Sequence, residues 1–396
     1  LIADAFPPMR SSGAVQLRDL SREFIYQGHE ITVILPSSEI ESSWQLEDID
    51  GAQVLRLRAP KTKGVNYIRR AIGELFMPFC MRRNLHKSPL AIKRWDGIVW
   101  YSPSIFHGPL VRTIKLASKC KSYLIIRDIF PQWAVDMGLL SKRGLPYIFF
   151  NAVARYQYSV ADIIGVQTPG NLNYFKNWAF VVNRRLEVLQ NWLFDSPPGA
   201  CSISLSNTKL AGRKIFVYAG NMGVAQNVAA FLDLAELMQP RLDIGFLFVG
   251  RGNDAVKLAE NARLRRLNNV LFHDEIHPDE IAGLYAQCAV GLVALDPKHK
   301  SHNIPGKFLT YMQAGLPVLA RINPGNDLVE IIQGNNVGRV SVELRGDSLE
   351  TQAYDLIDLL DSDAGIKARC RALYAKLFSP EIAVKQIVCA LQGKRE

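Results

Sequence analysis

A chain of 396 residues is too long for one typical hydrophobic core and suits two domains of about 190 residues each. With 48% hydrophobic and 21% charged residues it belongs among folded globular proteins, not disordered ones. The net charge of +10 favours anionic partners such as nucleotides, phospholipid head groups or nucleic acid, and charge alone does not choose among them.

In chain order, the first half alternates strands and helices in the manner of a parallel sheet. Strand-like runs fall at Leu1–Ala3, Glu30–Leu35, Ala52–Leu57, Gly97–Tyr101, Tyr123–Arg127, Asp162–Val166 and Leu186–Leu189. Between the first two, Val15, Leu17, Leu20, Phe24 and Ile25 recur at helical spacing within Ala14–Gln27, and Gly28-His29 closes that helix. This is a βαβ unit.

From Arg56 to Arg94 eleven Lys and Arg residues, Arg69, Arg70, Arg82 and Arg83 among them, face the single acid Glu74. Ile68, Ile72, Leu75, Phe76 and Phe79 lie between them, which suits either an anionic membrane surface or a solvated helical face over the core. Nucleic acid is not expected, because no recognition motif appears. Arg127-Asp128, at the carboxyl end of a strand and beside Phe130 and Trp133, reads as a structural ion pair or as a pair acting on substrate hydroxyls.

Asn191–Lys214, with Pro197-Pro198-Gly199 and a Ser/Asn cluster, reads as an interdomain connection, the linker proper being residues 196–212. A second α/β half follows, with strands at Lys214–Ala219, Ile244–Val249, Val270–Phe272 and Val290–Leu295, and helices expected at Ala225–Met238, Ala255–Leu267 and Asp279–Gln287. The domains are therefore placed at 1–195 and 213–375, with residues 376–396 as a C-terminal helix that crosses back to the first. The expected fold class is α/β, two Rossmann-like doubly wound domains facing a cleft, with ligands beyond the carboxyl ends of the strands. The six cysteines form no C-x-x-C pair and read as reduced core residues of a cytosolic protein. The most apolar segments, Ile281–Leu295 and Tyr147–Val166, are too short to span a bilayer or are interrupted by Arg155 and Asp162. No export signal is seen, and a chain opening at Leu1 inside a strand is expected to have lost its initiator residues.

The second half holds three phosphate-type segments. Gly220-Asn221-Met222-Gly223 and Gly250-Arg251-Gly252 each follow a strand, where glycines let backbone amides approach phosphate oxygens, and Arg251 adds a bidentate donor. Gly306-Lys307 opens a helix whose buried stripe is Phe308, Leu309 and Met312 and whose stop is Gly315; free N–H groups and the helix dipole attract a phosphate there and an ammonium completes its neutralisation. His273 and His277 have i, i+4 spacing, but Pro278 and an Asp279 cap place them in a loop, so no metal site is expected.

With these segments in view, the chain resembles the retaining glycosyltransferases of the GT-B-fold group called family 4. The match looks closest to bacterial O-antigen and capsule enzymes of the N-acetyl-L-fucosamine transferase type. The residues that carry the resemblance are Asp4-Ala5-Phe6-Pro7-Pro8 with Ser12-Gly13-Ala14, Gly28-His29-Glu30, Arg127-Asp128-Ile129-Phe130-Pro131, Gln190-Asn191-Trp192, Gly220-Asn221-Met222-Gly223 and Pro305-Gly306-Lys307 through Gly315-Leu316-Pro317. The resemblance implies a nucleotide sugar in the C-terminal half and an acceptor in the N-terminal half. It implies that Ser12 and Gly13 face the donor pyrophosphate, and that Gly220, Asn221, Gly223, Arg251, Gly306 and Lys307 hold it. Ile276 would meet uracil through its backbone, and Asp128, with Arg127, would serve the reacting sugar or acceptor. The family's paired glutamates fall at His302 and Thr310, neither of them acidic, and Glu330 is a possible substitute.

The function expected is retaining transfer from a UDP-sugar to an undecaprenyl-pyrophosphate-linked acceptor, without metal or cofactor, by an enzyme peripheral on the inner face of the plasma membrane. Two rival readings are a UDP-sugar 2-epimerase, sharing the two-half architecture, and a non-enzymatic two-domain ligand-binding protein.

Overall fold

A computed structural model describes every residue except 10, 183, 196–198, 224–225, 296–303, 343–345 and 394–396. Two compact units form: Leu1–Trp192 with Pro380–Glu396, and Leu193–Ser379.

The first unit runs α1 (Ser12–Tyr26), β1 (Thr32–Ser37), β2 (Trp44–Ile49), β3 (Ala52–Arg58), α2 (Tyr67–Leu85), β4 (Gly97–Tyr101), α3 (Gly108–Ser118), β5 (Lys121–Ile126), α4 (Gln132–Asp136), α5 (Leu145–Val160), β6 (Ile163–Val166), α6 (Pro169–Val182) and β7 (Arg185–Val188). α1 forms because Ser11 caps it, accepting the Ala14 N–H at 3.3 Å, and because Leu17, Leu20 and Phe24 fall on one buried face. β1, β4, β5 and β6 are largely buried apolar runs, as parallel strands covered on both faces require, while β7 (Arg185-Leu186-Glu187-Val188), at the sheet edge, is only half-buried.

The expected strand at Leu1–Ala3 reduces to bridges. Ile2 pairs with Ile34 of β1 on one side and Trp100 of β4 on the other, and so stitches β2-β3-β1 to β4-β5-β6-β7. An additional strand not expected from the sequence, β2, runs antiparallel to β3 at the sheet edge. Asp50-Gly51, with φ of 56° and 82°, makes the tight turn joining them. That dipeptide between alternating residues is a hairpin signal.

The second unit runs β8 (Lys214–Ala219), α7 (Ala229–Leu237), β9 (Ile244–Val249), α8 (Ala255–Leu264), β10 (Val270–His273), α9 (Ile281–Tyr285), β11 (Val290–Ala294), α10 (Gly306–Ala314), β12 (Val318–Arg321), α11 (Leu328–Gly334), β13 (Gly338–Ser341), α12 (Gly346–Ser362) and α13 (Ile366–Leu377). Its six strands are all parallel in the order β10-β9-β8-β11-β12-β13, the doubly wound order with its switch point between β8 and β11. The carboxyl end of β8, where the Gly220 loop begins, lies at that switch point, where such sheets bind ligands. α7 begins at Ala229, four residues later than periodicity suggests, because Asn227 takes a left-handed φ of 46°. The expected Asp279 helix start is replaced by a short 3₁₀ turn, Pro278–Glu280, ahead of α9.

The chain passes from one unit to the other at Trp192 and Leu193, before the stretch read as a linker. Within that stretch Ile203, Leu205 and Leu210 are buried in the second unit's core, so it is packed structure and not a tether. The polar Ser/Asn composition masked those apolar anchors. The last helix, α14 (Pro380–Gln392), belongs to the first unit, where Ala383, Val384, Ile387 and Ala390 join the core beside α1.

Candidate functional site

In the second unit the two glycine loops are stacked backbone on backbone. Gly220 N–H donates to Val249 O at 2.9 Å, Met222 N–H to Arg251 O at 2.8 Å and Asp254 N–H to Met222 O at 3.1 Å. A Cβ on Gly250 would lie 2.2 Å from Gly220 O, and one on Gly252 2.3 Å from Met222 O, both at positive φ. These glycines are therefore required by the contact between the loops, which brings both to the carboxyl edge of β8 and β9. Asn221 is exposed; its amide and the Gly223 N–H both donate to Gln226 Oε1, at 3.3 and 3.1 Å. Gln226, not singled out from the sequence, thus shapes the loop after β8.

Lys307 stands at the second position of α10 and reaches back to that loop. Its ammonium donates to Tyr218 Oη at 3.2 Å and lies 4.4 Å from the Tyr218 ring centroid, while a Cβ on Gly220 would sit 3.7 Å from Lys307 Nζ. Burial pushes the Tyr218 phenol up, so it keeps its proton; the phenol donates to Asn221 O at 2.7 Å and accepts from the lysine. No carboxylate pairs with Lys307 among the described residues, and burial lowers its pKa to about 8. A desolvated ammonium beside the Gly306 and Lys307 N–H groups, which have no partner among the described residues, is a standing deficit of negative charge. Gly306, exposed at the first turn, has open space where a Cβ would be.

Arg251 is exposed and paired with Glu275, Nε to Oε2 at 3.0 Å, a weak surface pair that an anion can displace. Ile276 follows in the loop after β10, its side chain against the core and its backbone N–H and C=O unpartnered among the described residues. Thr310 Oγ1 is turned inward to Lys307 O at 2.9 Å and also meets Tyr285. Glu330 is exposed in the first turn of α11, and His302 lies outside the described residues. His277 caps the 3₁₀ turn, accepting the Asp279 N–H at 3.4 Å while Glu280 accepts its own N–H at 3.3 Å, and His273 Nδ1 is engaged with Asp274 O. Their spacing thus reflects loop capping.

In the first unit Ser12 and Gly13 form the opening turn of α1, Ser12 exposed and Gly13 beside the Tyr101 ring. Arg127 is buried. Its guanidinium donates to Leu189 O at 2.7 Å and Gln190 O at 3.2 Å and stacks 4.7 Å from the Trp192 ring, so it ties the end of β5 to the end of β7. Burial lowers its pKa, with the Tyr101 and Tyr123 phenols and Asp128 opposing that shift. Asp128 is half-buried beside it and acts electrostatically on Tyr101 as well.

The sequence reading gave no role to a neighbouring pair. Asp4 Oδ1 lies 2.8 Å from Nε2 of the fully buried His107. Burial pushes the Asp4 carboxyl up, but His107, Ser104 and Lys63 outweigh it and hold the carboxyl below its usual range. The two are 103 residues apart in sequence, and only the packing of β4 beside Ile2 joins them. Arg69, Arg70, Arg82 and Arg83 are all exposed on α2, Arg70 bonding Glu74 at 2.8 Å. Among the described residues no helix is long and apolar enough to cross a membrane.

Known proteins resemble this chain in sequence and in fold. Over 238 residues the chain is 25% identical to a probable glycosyltransferase WbjE of Pseudomonas aeruginosa; the match spans 57% of this chain and 57% of that protein. Sucrose-phosphate synthase from Thermosynechococcus elongatus superposes with a TM-score of 0.71 at 14% identity, covering 99% of this chain and 98% of that one. HepE of Anabaena in complex with UDP gives 0.67 at 13% identity, covering 99% of each. WaaG, a glycosyltransferase involved in lipopolysaccharide biosynthesis, gives 0.62 at 15% identity over 99% of this chain and all of that one. The protein therefore has the GT-B fold of two Rossmann-like domains, and residues 213–361 carry a domain that matches the family Glycosyl transferases group 1.

Proposed function

We propose that the protein is a retaining, metal-independent glycosyltransferase of family 4 that moves a sugar from a UDP-sugar to a lipid-diphosphate-linked sugar acceptor in polysaccharide biosynthesis. The observation that carries this reading is Lys307: a desolvated ammonium with no carboxylate partner among the described residues, at a helix N-terminus, against the loop after β8 at the sheet's switch point. HepE and the E. coli trehalose-6-phosphate protein are described as bound to UDP or a UDP-sugar, which favours the same class of donor here.

In this reading the β-phosphate accepts from Lys307 and the first N–H groups of α10, and Arg251 leaves Glu275 to complete the neutralisation. The backbone of Ile276 pairs with uracil. Glu330, on α11, and the capped N-terminus of α1, with Ser12 and Gly13, are further ligand contacts. Negative charge grows on the leaving diphosphate as the anomeric C–O bond breaks, so fixed donors at this point lower the barrier more than they strengthen substrate binding. The acceptor oxygen bonds to the same face of the sugar, and its proton passes to the departing phosphate. Asp128 serves the acceptor from the first unit. The proposed sugar is N-acetyl-L-fucosamine and the proposed lipid undecaprenyl pyrophosphate, both resting on the sequence resemblance. The exposed arginines of α2 hold the protein on an anionic inner leaflet.

Titration with UDP tests the site. Lys307→Ala should lose about 1.5–3 kcal/mol of UDP affinity, the range for a hydrogen bond to a charged group. Unchanged affinity in a folded variant overturns the assignment. A thermal-shift panel of nucleotide sugars identifies the donor. Product analysis with and without acceptor separates transfer from 2-epimerisation.

A further inference from the structure

The first unit carries a groove of about 740 Å³ between α2, α3 and α5. Leu75 and Phe79 from α2, Leu116 from α3 and Phe149 from α5 line it, and each is exposed. Phe106, ahead of α3, closes its floor as a buried core residue. Around the groove Ile72 and Phe76 extend the apolar surface along α2, both more than half exposed. A soluble protein rarely leaves so continuous an apolar patch open without an occupant. The volume lies within the roughly 300–1,000 Å³ of small-molecule sites, which are mostly apolar with a few placed polar groups.

Here the charged lining groups are Arg82 and Arg112, and neither has an ion-pair partner among the described residues. An apolar trough with two unpaired guanidinium groups complements a molecule that has a hydrocarbon chain and an anionic head. Guanidinium groups suit phosphate in particular, since they present paired N–H donors.

We infer that this groove holds the chain of a polyprenyl diphosphate lipid, with Arg82 and Arg112 on its phosphates. The inference rests on the reading of the acceptor as lipid-linked, and adds a specific seat for one chain to general attraction by an anionic surface. One groove accepts one chain, which favours a single-chain polyprenyl diphosphate over a two-chain phospholipid.

Farnesyl diphosphate, a short water-soluble member of this class, serves as probe on the full chain, with inorganic pyrophosphate as the head-group control. Wild type should bind farnesyl diphosphate at least tenfold more tightly than pyrophosphate. Ala152→Trp fills the groove from an exposed position on α5 and should weaken that binding at least tenfold without changing UDP affinity. Leu116→Gln, also at an exposed position, should act in the same direction, so the result does not hang on one variant. Equal affinity for the two probes, or unaltered farnesyl diphosphate binding in both variants, overturns the inference. If farnesyl diphosphate binds through the groove but transfer proceeds only to soluble acceptors, the lipid-acceptor reading falls and the groove stands. If transfer to a lipid acceptor proceeds while farnesyl diphosphate is not held, the groove falls and that reading stands.

Discussion

Lys307 is the residue at which stability and ligand binding pull apart. Its pKa of about 8 lies below the ordinary 10.5, so the unfolded chain binds more protons than the folded one between those values, and stability rises with pH across that window. Bound diphosphate favours the ammonium and raises its pKa. UDP affinity should therefore fall by up to tenfold per pH unit above pH 8, and titrations across pH 7–10 check this. Lys307→Met should flatten both dependences and leave the melting temperature unchanged or higher, because it removes a desolvated charge that no carboxylate pairs among the described residues. A lower melting temperature in that variant would mark the lysine as structural. A second contrast separates Arg127 from Asp128. Arg127→Met orphans the carbonyls of Leu189 and Gln190, at a cost of about 1–3 kcal/mol each, and should lower the melting temperature. Asp128→Asn keeps the shape and should retain stability and UDP affinity while transfer falls. Early melting with undiminished activity per folded molecule would reduce Asp128 to a structural partner of the arginine.

At the scale of elements, the loops after β8 and β9 form one object. Their glycines touch backbone atoms, which cannot rotate away as a flexible side chain can, so Gly250→Ala and Gly252→Ala should each destabilise by about 1–3 kcal/mol or more. Because the same contact holds Gly220 against Lys307, UDP affinity should drop in the fraction that remains folded. Denaturant unfolding with parallel UDP titration measures both, and a stable variant with normal affinity would contradict the stacked geometry. Gly306 makes the opposite case. No protein atom restricts a Cβ there, so Gly306→Ala should leave stability near wild type and act only through close approach of a ligand.

At the scale of the whole molecule, the surface of the first unit should decide where the protein resides. Reversing Arg69, Arg70, Arg82 and Arg83 to Glu removes attraction worth about 1 kcal/mol per residue near an anionic membrane, and salt should weaken what remains. Wild type should sediment with vesicles rich in phosphatidylglycerol at low salt and the variant should not, both binding UDP equally. Equal sedimentation at low and high salt would leave α2 as a solvated face.

Much of this molecule is written locally in its sequence. The apolar runs of β8, β9 and β11 and the Gly306-Lys307 helix start are legible because strand burial and helix capping depend on neighbours a few residues away. β2 carries a local signal as well, the Asp50-Gly51 turn between alternating residues. What only the tertiary structure decided depends on residues far apart in the chain. The Asp4–His107 pair, Arg127 on the carbonyls of Leu189 and Gln190, and the reach of Lys307 on α10 to Tyr218 on β8 each arise where elements distant in the chain pack together, and periodicity carries no information about such neighbours. The glycine loops show the division most plainly. Sequence marked Gly250 and Gly252 as positions needing glycine, and packing assigned the reason: a second backbone lies where their side chains would be.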